Sequence, residues 1–336
     1  MEGYGEGVPR TYVTGESVQT ALDTLRGPIL RAAGSERFGT LGDVEEYLLD
    51  LSRSPLCQRH LAAFCAFELA LLDLSSRTWD SPLETIFGTR WTEPPPYSAV
   101  IPLLPPDRML PFLGLLENNG MKRIKIKVGE PFDPRVFERV ISVLGSDVDL
   151  RVDANGAWTE TAALKHIEIM EEYGISAVEQ PVAKDNIRGL REITSRSPIP
   201  IIADESVCSL EDAAKLIDLG ACHALNVRLS KCGGFFGSLA IAEMAARAGL
   251  RRQIGCQVGE TGILSAAGRH LAGWIEDLLY LEGSFGTWAL QEDIVEEDIR
   301  FGKGGKAYPF DGIGLGIHVR PEALEERAIA SERFVF

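Results

Sequence analysis

Five charged residues, Lys127, Asp153, Glu179, Asp204 and Lys231, recur at separations of 26, 26, 25 and 27 residues. Each closes or just follows a short apolar run that reads as a strand. These runs are RIKIKV at 123–128, VDLRVD at 148–153, ISAVE at 175–179, IPIIAD at 199–204 and ALNVRL at 224–229. SAVIPL at 98–103, RQIGC at 252–256 and LLYLE at 278–282 bring the set to eight. Stretches at 159–173, 209–219 and 234–249 fill gaps between them with helical periodicity. One strand and one helix per interval predicts an α/β chain folded as a (β/α)8 TIM-type barrel. A doubly wound sheet is the alternative, but no GxGxxG joins the first strand to a helix. That sheet would also set the five charges in a line, whereas a barrel gathers its C-terminal strand ends at one mouth.

Residues 1–97 have a different pattern. Helical periodicity marks 16–33, 43–52 and 55–76, and Pro94, Pro95 and Pro96 mark a junction. The chain therefore divides into a capping domain at 1–97, a catalytic barrel at 98–310 and a segment at 311–336 that returns towards the cap.

Bulk properties narrow the field. A net charge of −15 would repel a polyanionic duplex, so no nucleic-acid partner is expected. No apolar run reaches the length of a membrane span, and MEGYGEGVPR lacks a signal peptide's basic and apolar regions. The six cysteines have no metal-ligand spacing and read as reduced, mostly buried thiols, which predicts a cytoplasmic protein.

The strand-end residues suggest chemistry. Asp153, Glu179 and Asp204 would end three consecutive strands, and three converging carboxylates repel one another unless a cation lies between them. A single such residue would read as a helix N-cap; three on adjacent strands, bracketed by lysines, read as a site for Mg²⁺, with Mn²⁺ as the alternative. Strand alternation in 123–128 turns Ile124, Ile126 and Val128 towards the helices and Arg123, Lys125 and Lys127 into the barrel. Lys125 and a bound cation would favour the neutral amine of Lys127, the form a general base needs. The bland reading is a solvated edge strand. Lys231 lies four strands on, across the ring, so the two lysines would address opposite faces of a bound small carboxylate. One removes the proton alpha to that carboxylate, the metal offsets the enediolate charge, and the other returns a proton.

KIKVG (125–129), RVDANGAW (151–158), VEQPV (178–182), ADESV (203–207) and NVRLSKCGG (226–234) resemble, in order and spacing, the barrel motifs of the muconate-cycloisomerase subgroup of the enolase superfamily. The resemblance implies an isomerase with Lys127 and Lys231 as acid/base pair, Asp153, Glu179 and Asp204 as metal ligands, and Lys125, Asn155, Glu205 and Asn226 in support. A homo-oligomer is expected. The reaction implied first is racemisation or epimerisation of an amino-acid derivative; o-succinylbenzoate synthase-like dehydration and muconate-type cycloisomerisation use the same residues. A barrel of another class would bind metal or ligand without catalysis. Departures from the family pattern are Arg228 where lysine is frequent, the Gln257 and Glu260 region, and Glu282-Gly283-Ser284 where dipeptide epimerases carry Asp-x-Asp. GYGEGVPRTYVTGES resembles the third strand of the family's α+β capping domain together with the segment after that strand. The cap is therefore expected to be N-terminally truncated, with an edge strand near Tyr4–Glu6.

Overall fold

The computed structural model describes residues 1–90, 93–104 and 106–333. Residues 91, 92 and 105 and the last three residues of the expected C-terminal segment lie outside that range. Among the described residues, eight strands pair in parallel in sequence order. They are β1 (Ala99–Ile101), β2 (Arg123–Lys127), β3 (Asp149–Asp153), β4 (Val178–Glu179), β5 (Ile201–Ala203), β6 (Ala224–Val227), β7 (Arg251–Ile254) and β8 (Leu278–Leu281). A parallel bridge between Tyr97 and Leu281, with the Ser98 N–H donating to the Leu281 carbonyl at 2.8 Å, joins β8 to the residues before β1 and closes the ring. The strands are shorter than the apolar runs that predict them because pairing stops where the chain turns into its loops.

Helices accompany the strands throughout. In the first part of the chain these are α1 (Val18–Thr24), α2 (Leu30–Gly34), α3 (Leu41–Ser52), α4 (Pro55–Arg59), α5 (Leu61–Thr78) and α6 (Glu84–Phe87), with a π-helical turn at Leu25–Ile29. Around the barrel run α7 (Pro106–Asn118), α8 (Arg135–Leu144), α9 (Glu160–Glu172), α10 (Ile187–Arg196), α11 (Leu210–Asp218), α12 (Leu229–Cys232), α13 (Gly234–Arg247) and α14 (Gly262–Trp274); α15 (Pro321–Arg327) comes last. No described helix is long and apolar enough to cross a membrane.

The period of two along each strand sorts the residues into two environments. Ile124, Ile126, Leu150, Val152, Val178, Ile201, Leu225, Val227 and Leu281 point outward and form one continuous core with the helices. The inward set differs: only Ala177, Ile202, Ala224 and Tyr280 make a small apolar plug in the bore. Above it the inward positions are charged or polar, so the upper bore is a polar chamber rather than a second core.

The edge strand expected near Tyr4–Glu6 is not formed: among the described residues of 1–97, the regular structure is helical. An extended segment lies along α5 instead. A Cβ on Gly3, Gly5 or Gly7 would come within 2.4, 2.0 or 2.1 Å of the carbonyl oxygens of Ala70, Ala66 and Ala62. Every second residue of an extended chain advances about 6.6 Å and every fourth residue of a helix about 6 Å, so three glycines meet three alanines in succession. The intervening residues bond elsewhere. The Tyr4 N–H donates to Asp73 Oδ2 at 3.1 Å and the Val8 N–H to Ser230 Oγ at 2.8 Å. The Glu6 carboxylate accepts from the Thr261 N–H at 2.9 Å, the Thr261 hydroxyl at 2.7 Å and the Leu264 N–H at 3.0 Å, at the start of α14. The segment thus ties α5 to the barrel mouth.

Gly5→Ala should therefore lower stability by ~1–3 kcal/mol, because the methyl has no room against backbone. Gly27→Ala, which faces open space, should stay within about 0.5 kcal/mol. Urea unfolding of both variants tests this; equal midpoints would contradict the packing.

Candidate active site

Carboxylates and cations alternate around the top of the bore. Lys125, on β2, is buried, with its Nζ 2.8 Å from Glu282 Oε2, 3.3 Å from Asp153 Oδ2 and 3.4 Å from Glu179 Oε2. Glu179 also accepts from Asn226 Nδ2 at 2.7 Å and Gln253 Nε2 at 2.9 Å. Arg228 pairs with Asp204 Oδ2, reaches Glu179 Oε1 at 3.6 Å and donates to Gln257 Oε1 at 3.3 Å. Lys231 Nζ donates to Asp204 Oδ1 at 2.9 Å and to the carbonyls of Asp204 and Asn226, both at 2.7 Å. Lys127, one strand-pleat above Lys125, is part-exposed and donates to Asn155 Oδ1 at 2.8 Å, with Asp153 Oδ2 at 3.6 Å. Asn155 in turn donates to Glu205 Oε1 at 3.0 Å.

Burial and pairing set the charge states. Burial pushes the Glu179 carboxyl up, but Lys125, Arg228 and Arg151 outweigh it and hold the group well below the usual carboxylate range. Asp153 is raised by burial; its Oδ2 is enclosed and ion-paired with Lys125 and Lys127 at 3.3 and 3.6 Å but accepts no hydrogen bond, and Oε2 of Glu205 accepts none either. Burial, then the neighbouring Asp204 charge, pushes Glu205 up to about 7. Burial alone would lower Lys125 and Lys231. The carboxylates of Glu179, Glu282 and Asp153 outweigh it for Lys125, and that of Asp204 for Lys231, so both stand above the usual lysine value.

No three His, Cys, Asp or Glu side chains among the described residues converge at ligating distance. Lys125 lies between Asp153 and Glu179, and Arg228 between Glu179 and Asp204, so cations occupy the space in which the three carboxylates would meet. The donor set nevertheless suits a hard cation: three carboxylates from adjacent strand ends, one with an enclosed oxygen that accepts no hydrogen bond.

A cavity of ≈ 370 Å³ opens above this network. Lys125, Lys127, Asn155, Glu205, Arg228, Gln257, Glu260, Glu282 and Ser284 all line it, so the structure brings nine of the sequence-derived positions to one surface. Asp153, Glu179, Asp204, Asn226 and Lys231 lie behind that surface, each fully buried. Lys231 in particular does not line the cavity. Glu282 does not project free into it either, since Lys125 and Arg151 bind one oxygen each. Ser284 Oγ accepts from Arg269 Nε at 3.0 Å.

Several contributors escape the sequence reading. Arg151 is fully buried in the bore, donates to Ser98 Oγ at 2.8 Å and lies 4.2 Å over the Tyr280 ring. Arg151 and Gln253 obey the inward parity of their strands, so alternation could have found them. Gln180 receives the Asp204 N–H at 2.9 Å and donates to Ser206 Oγ at 2.8 Å, fixing the turn that carries Asp204. Gly255 is required by proximity: a Cβ there would come within 2.4 Å of Asn226 Oδ1 and 2.9 Å of Arg228 Nε. Asn155, Gln180 and Ser284 hold positive φ of 44°, 38° and 53° just past their strands, a placement of backbone strain common at functional sites.

A family profile described as enolase C-terminal domain-like matches residues 113–323. A hydrophobic dipeptide epimerase of Enterococcus faecalis is 30% identical over 324 residues, covering 96% of this chain and 84% of that protein. An N-succinyl-L-Arg/Lys racemase of Bacillus cereus is 28% identical over 332 residues, covering 97% and 87%. The crystal structure of the Enterococcus faecalis V583 dipeptide epimerase with Mg and L-Leu-L-Tyr superimposes with a TM-score of 0.80 at 27% identity, covering 94% of this chain and 88% of that one.

Glu260 offers a check on the electrostatics of the mouth. Burial pushes its carboxyl from 4.5 up to about 8. Between those values the folded protein keeps a proton that the unfolded chain has released, so stability falls as pH rises through the window. Glu260→Gln has no such proton to lose, and its amide oxygen can still accept the Gln257 N–H. Its melting temperature relative to the unmutated protein should climb by several degrees from about pH 5 to about pH 9. Parallel pH profiles for the two proteins would count against a protonated Glu260.

Proposed function

We propose, for a chain that belongs to the enolase superfamily, that it is a racemase or epimerase of an amino-acid derivative, moving the proton alpha to a carboxylate between two lysines. The related proteins are epimerases and racemases, which supports the isomerase class and the general enediolate-type reaction. The observation that carries the two-lysine reading is the placement of Lys127 at the end of β2 and Lys231 just after β6, on opposite sides of an eight-stranded ring.

Mg²⁺ held by Asp153, Glu179 and Asp204, with Mn²⁺ as the alternative, would supply positive charge against the substrate carboxylate as the α-proton leaves. A Mg-bound relative of the same fold supports that assignment. The chain's own residues do the rest. Lys127 faces the cavity and takes the proton from one side, with Asn155 fixing its amine. Lys231 is held protonated by Asp204, so it is the group assigned to donate on the other side, where its bonds to Asp204 Oδ1 and to the Asp204 and Asn226 carbonyls would have to give way. Lys125 adds positive charge at the carboxylate end of the cavity, and its three carboxylate partners keep it from acting as a base. Arg228 performs the same service beside Asp204, with a planar fork that fixes direction as well as charge.

Two experiments bear on this reading. Asp153→Asn and Asp204→Asn should each weaken Mg²⁺ binding in calorimetry by at least roughly tenfold, the lower end of what even an outer partner's loss costs. Full turnover in protein freed of divalent ions with EDTA would remove the metal from the mechanism. In D2O, with an accepted carboxylate, the protein should wash deuterium into the α-position as followed by proton NMR. Lys127→Ala and Lys231→Ala should each lower turnover by ~10²–10⁴-fold, while each retains exchange of one substrate enantiomer. If both variants exchange both enantiomers at the unmutated rate, these lysines are not the acid/base pair.

A further inference from the structure

Lys125 and Lys127 are carried by β2, whose ladder bonds to its neighbours fix the backbone beneath them. Lys231 has no such support. It lies past the end of β6, in the short turn α12. Gly233 and Gly234 follow at φ of 76° and 85°, and α13 begins there. Asp204 and the Asp204 and Asn226 carbonyls hold the Lys231 amine. Those bonds grip only the tip of a flexible stem. The backbone that carries the stem is held by something else.

The anchors come from the first part of the chain. Glu68 of α5 is fully buried. Its carboxylate accepts the Phe235 N–H and, at 3.2 Å, the Phe236 N–H. Both donors belong to the first turn of α13 and have no partner within that helix. Gly234 packs on the same carboxylate so closely that a Cβ there would overlap Oε2. A Cβ on Gly233 would stand 3.0 Å from the Leu61 side chain, also on α5. On the other flank of the lysine, Ser230 Oγ accepts the Val8 N–H at 2.8 Å. A buried carboxylate is costly to keep, and the two α13 N–H groups are the partners that offset its burial.

Resting on the assignment of Lys231 to the acid/base pair, we propose that Glu68 is a positioning residue for Lys231. From α5 it seats the turn after β6, with Ser230 as the second anchor, so that the amine keeps its side of the substrate. Lys127 is fixed by its own strand and by Asn155. Glu68 therefore acts on one lysine of the pair and not on the other.

Amine reactivity reads where each lysine stands without turnover. The protein and its variants are treated with the N-hydroxysuccinimide ester of acetic acid, and acetylation of Lys125, Lys127 and Lys231 is followed by peptide mass spectrometry. Lys125 and Lys231 are both enclosed, so a general loss of stability raises both rates together. Glu68→Ala leaves two buried N–H groups without an acceptor. It should raise the Lys231 rate at least roughly tenfold with Lys125 unchanged, the shift in a local opening equilibrium that one lost buried hydrogen bond produces. Glu68→Gln keeps one acceptor oxygen and should give a smaller rise. Ser230→Ala should raise Lys231 several-fold, again without Lys125. Should Glu68→Ala fail to fold, the other two variants decide. Parallel rises at Lys125 and Lys231, or a Lys231 rate unchanged in every folded variant, would overturn the proposal. The acid/base assignment fails by a different sign: Lys231→Ala would exchange both enantiomers in D2O at the unmutated rate.

Discussion

The Lys125 ammonium, held by carboxylates from β3, β4 and the end of β8, organises the upper barrel. A lysine and three carboxylates removed from water would each be costly alone, and their mutual attraction is what makes the arrangement tolerable. Because the partners come from three strands, the ion pairs also fix those strands' inner faces relative to β2. Arg151 extends the network downward to Tyr280 and Ser98, and Arg228 extends it sideways to Asp204 and Gln257. Removing one member would strand charge on two or three others, so the site and the barrel interior are not separable as structure and function.

That network also shapes what the mouth can recognise. Its lining combines Lys125, Lys127 and Arg228, the carboxylates Glu205, Glu260 and Glu282, and the rings of Phe112, Phe285, Trp288 and Phe301. The aromatic part of that lining is itself held by packing remote from the strand ends: Phe301 lies between Trp288, Phe285 and Tyr97, and Tyr97 forms the bridge that closes the ring. Ring closure and the aromatic part of the cavity therefore share residues.

Much of this was legible in the sequence because two periods coincide. Alternation within strands put Lys125 and Lys127 inward, and the near-constant spacing between strands put Asp153, Glu179, Asp204 and Lys231 at one mouth. What was missed has specific reasons. Arg151 and Gln253 follow the same alternation but sit below the strand ends, where a spacing argument does not look. Phe285, Trp288 and Phe301 come after the eighth strand, in a stretch with no period at all. The enclosure of Lys231 depends on the direction of the Asp204 carboxylate, which only three-dimensional geometry supplies. The edge strand near Tyr4–Glu6 was a misreading of partner: an extended chain with alternate glycines can pair with a helix as readily as with a strand, and sequence period does not say which.

The glycine segment on α5 behaves like a vernier, two scales of nearly equal division laid side by side. With about 6.6 Å per mark on the extended chain and about 6 Å on the helix, the mismatch accumulates by roughly 0.6 Å at each step. Three marks stay aligned within the tolerance of close packing; a fourth would fall nearly 2 Å out of place by the same arithmetic, roughly three steps of mismatch. The fourth odd position is Pro9, not glycine, and there the chain leaves the helix for the barrel mouth. The length of the motif is thus set by commensurability. A residue inserted or deleted between two of the glycines would move those on one side of it off their alanines and turn the intervening side chains against the helix, so this stretch constrains chain length as well as side-chain identity.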